Sequence, residues 1–386
     1  MTMLSIDKVV NISVLTPPTG LAAYALNNLV CFTKETPTVP LTASYAVYSS
    51  SSEVETAWGS GSATYAAALK VFGQSPNILS GGGIFIVVPL LTGEVLEQAI
   101  VRAQDLVYFG GFAANYTLGV SGPTSYTGAT GLNLEATRAA AVAQSNRKLF
   151  FVGATGATSL SAGGLAYVID AASESYTRVL HHTLSAEIEG FKWAYASRGM
   201  STNFSAVNTA ATMNLKLLAG VLPDSGVSST LYDSAKAVGA DMYVNMAGQS
   251  CVCSFGANEF FDDVYNLQWL IGALEVAGFN YLRQTSTKIP QTETGMDGLK
   301  SAYRAVCRQA VSNGFIAPGT WTGADTFGTP EDFHRNIGDF GFYIYSLPVA
   351  LQANADRIAR LAPTVQIALK YSGAIHKTSV IVNVNK

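Results

Sequence analysis

Charge is what this sequence has least of. Asp, Glu, Lys and Arg make up 13% of its 386 residues, against about 25% in an ordinary soluble domain. Hydrophobic residues reach 48%, so the chain is globular rather than disordered. Together these figures suggest a surface that is largely covered by protein. The net charge of −3 supplies no basic face, so direct nucleic acid binding is not expected. No apolar run approaches the roughly 18 residues of a membrane span, which argues against insertion in a bilayer. The opening MTMLSIDKVV has no apolar leader core or cleavage site, so a cytosolic origin is expected. Cysteine is scarce too. Cys31, Cys251, Cys253 and Cys307 form no CxxC pair and have no histidine cluster beside them. Buried free thiols are the expectation, without metal.

Catalytic signatures are also missing. The chain has no GxSxG elbow, no HExxH, no Walker A loop and no GxGxxG following a strand, so no cofactor is expected. The glycine clusters at 59–61, 81–83 and 153–156 lack phosphate-loop spacing and read as turns. His181 and His182 fall in a predicted strand and so point to opposite faces, which suits core or interface histidines rather than one metal site. His334 and His376 are isolated. Asp262 and Asp263 open a predicted helix, where carboxylates favour the positive end of the dipole. Asp339 has no partners that the sequence brings to it.

What is present is periodicity. Ile6, Val10, Ile12 and Val14 alternate through SIDKVVNISVL, with Lys8 on the same face. Thr378, Val380, Val382 and Val384 alternate through the closing KTSVIVNVNK. Period-two alternation marks a strand with one buried face. Two strands at the ends of a chain either pair within the subunit or add to a neighbour's sheet. Between them, strand and helix alternate. Strands are predicted around 26–33, 45–48, 84–88, 107–112, 148–152, 178–183, 242–246 and 251–255. Helices are predicted over 63–72, 95–106, 133–144, 165–172, 187–196, 210–218 and 229–238, after a single turn at 54–58 capped by Ser52. Tyr65, Leu69 and Phe72 are expected inward on the 63–72 helix. Such repetition argues for a layered α/β domain with a largely parallel sheet. After Gly256 the texture changes to two long helices, 259–283 and 296–312, then a Gly/Thr-rich loop or hairpin at 319–338. Strands at 341–351 and 364–369 follow, with a short helical link at 353–360 between them. The expected layout is an N-terminal arm (1–16), an outer α/β domain (17–255), an inner α+β domain (256–373) and a C-terminal arm (374–386).

One charge pattern stands out. Lys300, Arg304 and Arg308 lie at i, i+4 and i+8 on the second long helix, opposite Leu299, Val306 and Ala310. Arg357 and Arg360 form a second small basic cluster. Each reads either as a solvated face or as a docking face for an acidic partner.

Several C-terminal segments resemble the tail sheath proteins of contractile-tailed bacteriophages, in the branch with short, two-domain subunits. They are ANEFFDDVYNLQWL (257–270), QAVSNGFIAPGTW (309–321) and ADRIARLAPTVQIALKYSGAIHKTSVIVNVN (355–385). Upstream, ETAWGSGSATYAAALKVFGQSPN (55–77) is similar to the family's turn and alanine-rich helix before a strand. The resemblance implies a non-enzymatic subunit that stacks with other copies of itself in rings, as a helical homo-oligomer around a tail tube protein. Baseplate and tail terminator proteins bound that assembly. It implies strand exchange through both arms, and contraction that drives the tube through the host envelope for genome ejection. The expected location is the virion tail, after assembly in the host cytoplasm. On that reading the five basic residues are tube-contact candidates. The competing expectation is a hydrolase-like α/β enzyme with a C-terminal oligomerisation domain.

Overall fold

A computed structural model describes residues 25–119, 134–256 and 259–379. They gather into two compact units. The larger holds residues 25–270 with Gln309–Ala317 and the segment from Tyr371 onward. The smaller holds Ile271–Arg308 and Pro318–Lys370.

The larger unit is built on an eight-stranded sheet. Its strands are β1 (Leu29–Thr33), β2 (Ala46–Tyr48), β3 (Phe85–Pro89), β4 (Gly111–Ala114), β5 (Leu149–Thr155), β6 (Thr177–His182), β7 (Asp241–Met246) and β8 (Gln249–Cys253). Their order is β2-β3-β1-β4-β5-β6-β7-β8. The six inner strands are parallel, and β2 and β8 are antiparallel edges. The helices are α1 (Ser51–Trp58), α2 (Ala63–Phe72), α3 (Leu96–Leu106), α4 (Leu134–Ser145), α5 (Leu165–Ala171), α6 (Ser185–Gly199) and α7 (Ser229–Ala237). Alternate strand residues feed two separate cores. Leu29, Cys31, Phe85, Val87, Leu149 and Phe151 join one, with α2 and α6. Val30, Phe32, Ile86, Val88, Phe112 and Phe150 join the other, with α3, α4 and α5. A sheet covered on both faces explains the apolar runs of β3 (FIVVP) and of the first half of β5 (LFFV).

The predicted elements recur here with informative shifts. The α1 cap is Ser50, not Ser52. Its hydroxyl accepts from the Glu53 N–H, and the Glu53 carboxylate accepts from the Ser49 N–H at 2.8 Å. On α2 the buried face is the small one, Thr64, Ala67, Ala68 and Val71, whereas Leu69 is 46% exposed. Close packing, with α2 against α6, selects alanine over the bulkier residues. No helix forms over 210–218. Leu215 adopts φ +60°, and its N–H donates to the Val252 carbonyl (2.8 Å) while Val252 donates to Lys216 (2.9 Å). The segment therefore pairs with β8 instead of with itself. Both strand histidines are fully buried, with Nε2 atoms against the carbonyls of Gly156 and Leu222. All four cysteines are buried and free.

The smaller unit holds the later turns of α8 (Phe261–Gln284) and most of α9 (Glu293–Ser312), then α10 (Pro330–Phe340), β9 (Phe342–Ser346), the short α11 (Asn354–Ile358) and β10 (Val365–Leu369). Here α8 and α9 approach closely through glycine. A Cβ on Gly278 would meet the Tyr303 hydroxyl, and one on Gly298 would meet that of Tyr281. β9 and β10 pair antiparallel, with Ile367 opposite Ile344. Their core is a small aromatic one. Phe333, Ile337 and Ala368 are buried beneath Trp321, Phe327 and Tyr343. α10 replaces the loop or hairpin expected at 319–338. Pro330 at the first helical turn, Glu331 and Asp332 beside it and Gly341 at φ +80° are start and stop signals. They frame an apolar stripe of Phe333, Ile337 and Phe340.

Candidate functional site

In a doubly wound sheet, ligands bind outside the carboxyl ends of the strands, where the strand order reverses. Here that point lies between β1 and β4, and the protein fills it with its own groups. The Glu35 carboxylate accepts from the N–H groups of Ala63 (2.7 Å) and Thr64 (2.9 Å) and from the Thr64 hydroxyl (2.6 Å). It thus occupies the N-terminus of α2, the place where such folds hold a phosphate. Asn115, just past β4, donates to the Thr64 hydroxyl at 2.8 Å. The same arrangement closes two further positions. Buried Glu135 accepts from the Leu96 N–H at the start of α3 (3.1 Å) and from the Tyr116 hydroxyl (3.0 Å). Asp224 accepts from the Thr183 N–H (2.6 Å), the Thr183 hydroxyl and the Gly226 N–H (2.9 Å). These hydrogen bonds hold its carboxyl below the usual carboxylate range, against the burial that opposes them. At these three positions the donors that would recognise an anion are satisfied internally.

The open features lie in the smaller unit. One edge of β9 is paired with β10, and among the described residues no strand pairs with either outer edge. A cleft of about 390 Å³ is lined by Arg304 and Arg308 of α9, Asp332, Arg335, Asn336 and Phe340 of α10, and Phe342, Tyr343 and Ile344 of β9. Arg335 binds Asp332 at 2.5 Å. No carboxylate pairs with Arg304 or Arg308 among the described residues.

The predicted site residues are thereby sorted. Lys300 leaves the stripe by pairing with Asp297 one turn away, at 2.9 Å. Arg304 and Arg308 meet at the cleft, joined by Arg335. Arg357 and Arg360 are exposed, on and just after α11, and Arg360 sits at φ +58°. Thr378 is exposed. Ile6, Val10, Ile12, Val14, Val380, Val382 and Val384 lie outside the described residues. Sequence reasoning missed Arg335 because it read 319–338 as a loop or hairpin, whereas the strand expected at 341–351 does contain β9. The Pro330 start and the Gly341 stop were the signals available.

The root of the C-terminal segment is well anchored in the larger unit. Tyr371 pairs with Ile316 and packs on Phe315 (4.8 Å between ring centroids). The Ser372 N–H donates to the Phe315 carbonyl. His376 stands edge-on to Phe260 (4.6 Å), with Nε2 2.9 Å from the Thr212 hydroxyl.

Comparison with known proteins bears on both units. Residues 261–384 match the family described as "E217 tail sheath protein gp31-like, C-terminal domain". Across 99% of both chains, the fold is similar to a chain in the "Cryo-EM structure of the anti-feeding prophage (AFP) baseplate in contracted state", with a TM-score of 0.57 and 11% sequence identity. At that identity the likeness speaks for the fold. No curated protein matches the chain. Among the described residues no helix is long and apolar enough to cross a membrane. Residues 261–384 therefore match the C-terminal domain of a tail sheath family, and the chain as a whole shares its fold with a chain of a contractile assembly.

Proposed function

We propose that this subunit polymerises helically around a tail tube by strand exchange, and that the polymer contracts to drive the tube through the host envelope for genome ejection. The observation that carries the reading is the two-stranded β9–β10 sheet. A sheet of two strands is marginal by itself, and this one offers two outer edges. The chain supplies two alternating terminal segments, Ile6–Val14 and Thr378–Val384, as strands for the sheets of neighbouring copies. Each added strand contributes several backbone hydrogen bonds of about 0.5–1.5 kcal/mol net apiece. That is small singly and large when repeated along a tube. Contacts of this kind are head-to-tail and non-closing, which generates a helix rather than a closed ring pair.

On this reading the layered α/β domain (17–255) lies outside and the α+β domain (256–373) lies inside, against the tube. The subunit works without catalysis. The sealed switch point supports that role, because the place where related folds bind ligands is used for internal bonding. The partners are other copies of the chain, a tube protein, and baseplate and terminator proteins at the ends, all in the virion tail after assembly in the host cytoplasm. Lys300, Arg304, Arg308, Arg357 and Arg360 are the candidates for the tube contact. A few screened ion pairs suit a contact that must release during contraction.

Truncation after Ser379 tests the proposal, because it spares the His376 anchor and removes Val380, Val382 and Val384. The expected product is a folded monomer that forms no striated tubes by negative-stain electron microscopy. Tubes as long as those of the intact chain overturn strand exchange.

A further inference from the structure

Three guanidinium groups converge on one cleft of the smaller unit. Arg304 and Arg308 lie one turn apart on α9, and Arg335 comes from α10. Three arginines against one aspartate, Asp332, leave an excess of two positive charges along its walls. That aspartate is already bonded to Arg335. In the larger unit, by contrast, Arg102 bonds Glu94 and Arg138 bonds Glu97. Arg304 and Arg308 have no such partner among the described residues. Like charges at i and i+4 of a helix repel each other, so placing these two on one face favours an anion that bridges them.

The rest of the cleft is apolar. Phe340 stands out there, because it is 52% exposed while Phe333 and Ile337, on the same helix, are fully buried. Its ring meets that of Phe342 at a tilt (6.4 Å, 42°) rather than stacked. An open aromatic ring beside guanidinium groups is a platform for a planar ring. At about 390 Å³ the cleft has the size of a small-ligand pocket, roughly 300–1,000 Å³, which is more than a single phosphate fills. Arginine forks match phosphate oxygens two at a time. We infer that this cleft binds a small ligand of the nucleoside polyphosphate class, with its phosphates on Arg304, Arg308 and Arg335 and its base against Phe340. Such a ligand bridges α9 and α10. It thereby stabilises the smaller unit, whose aromatic core is built on Phe333, Ile337 and Ala368. Binding is a property of the single subunit and does not depend on polymerisation.

Isothermal titration of the full-length chain with ATP, tripolyphosphate and adenosine tests the site. ATP saturates it with a Kd below about 1 mM. Tripolyphosphate binds about tenfold more weakly, for want of the stacked base, and adenosine gives no measurable heat. Arg304→Ala with Arg308→Ala weakens ATP binding by about tenfold or more. Arg304→Lys with Arg308→Lys keeps the charge and loses the forks, and it weakens ATP binding too; it serves as the test if the alanine pair does not fold. Phe340→Ala brings ATP down to the affinity of tripolyphosphate. Arg357→Ala with Arg360→Ala, a basic pair outside the cleft, leaves ATP binding unchanged. An equal loss in that last variant overturns the site, because it shows attraction of anions to any exposed arginine. The site is overturned as well if neither ATP nor tripolyphosphate saturates, or if the folded arginine variants bind ATP as tightly as the parent. Tripolyphosphate binding as tightly as ATP overturns the nucleoside class and the role of Phe340.

Discussion

The eight-stranded and the two-stranded sheet solve the problem of an exposed strand edge in opposite ways. The larger sheet closes itself. At one side β2 is only three residues long, too short to template another chain. At the other, Leu215 and Lys216 bond to Val252 of β8. The starts of α2 and α3 are plugged by Glu35 and Glu135. The smaller sheet keeps both outer edges open among the described residues, over a core of three buried side chains. An unpaired strand edge of this kind is able to accept a further strand. The charges divide in the same way. In the larger unit carboxylates are buried and bonded, and in the smaller one guanidinium groups wait at a cleft.

The firmest way to break the contrast is to hollow the larger sheet. Phe112 stacks on Phe150 at 4.9 Å and meets Phe32 edge-on at 5.6 Å. Phe112→Ala should cost about 3–5 kcal/mol, seen as a lower urea midpoint for the sheet signal by circular dichroism. A loss below about 1 kcal/mol would mean that this core is no tighter than the small aromatic one.

The next effect tests the buried carboxylates through pH. Asp241 is fully buried and accepts from the Phe255 N–H (2.6 Å), the Ser254 hydroxyl (3.3 Å) and the Tyr195 hydroxyl. Removal from water pushes its pKa up to about 6, outweighing the nearby Arg178 charge and these hydrogen bonds. As pH rises from about 4 toward 6 the unfolded chain releases this proton while the folded one keeps it. Stability therefore falls across that window, by about 3 kcal/mol in total. Asp241→Asn carries no such proton. Its stability relative to the parent should climb by that amount from pH 4 to pH 7 in urea titrations. Parallel curves would show that Asp241 is not ionised at a cost.

Much of this was legible in the sequence. Strands β3 and β5 announce themselves as apolar runs, and α2 coincides with its expected span of 63–72. What failed has physical causes. The 210–218 segment carries a helical apolar pattern, yet Leu215 turns it toward the β8 edge, a long-range bond that no local pattern encodes. α10 was hidden by the Gly- and Thr-rich stretch before it. The basic stripe was read as one face, but Asp297 is placed to take Lys300 and leave the two arginines for the cleft. Sequence spacing lists which charges share a helix face. It does not list which of them find partners.

Smaller is the cost of reopening the switch point. Glu35→Gln keeps the shape of the side chain but turns one acceptor into a donor facing the N–H groups of Ala63 and Thr64. The loss of a charged cap at a helix N-terminus is about 1–2 kcal/mol. Thermal denaturation should show it, together with a gain in stability from added sulfate that exceeds the parent's. Equal sulfate effects in both proteins would mean that the α2 end stays shut without the carboxylate.

The smallest effect on folding should come from the open unit, and it sharpens the comparison most. Asp332 and Arg335 are 44% and 67% exposed in their side chains, so their ion pair is screened by water and contributes about 0–1 kcal/mol. Asp332→Asn should leave the unfolding midpoint nearly unchanged while removing the one negative charge that lines the cleft beside β9. If that cleft docks an acidic partner, tubes should assemble at lower protein concentration and dissociate more readily in salt than those of the parent. A variant that is folded, as stable as the parent, and unaltered in both respects would return Asp332 and its arginines to an ordinary solvated surface.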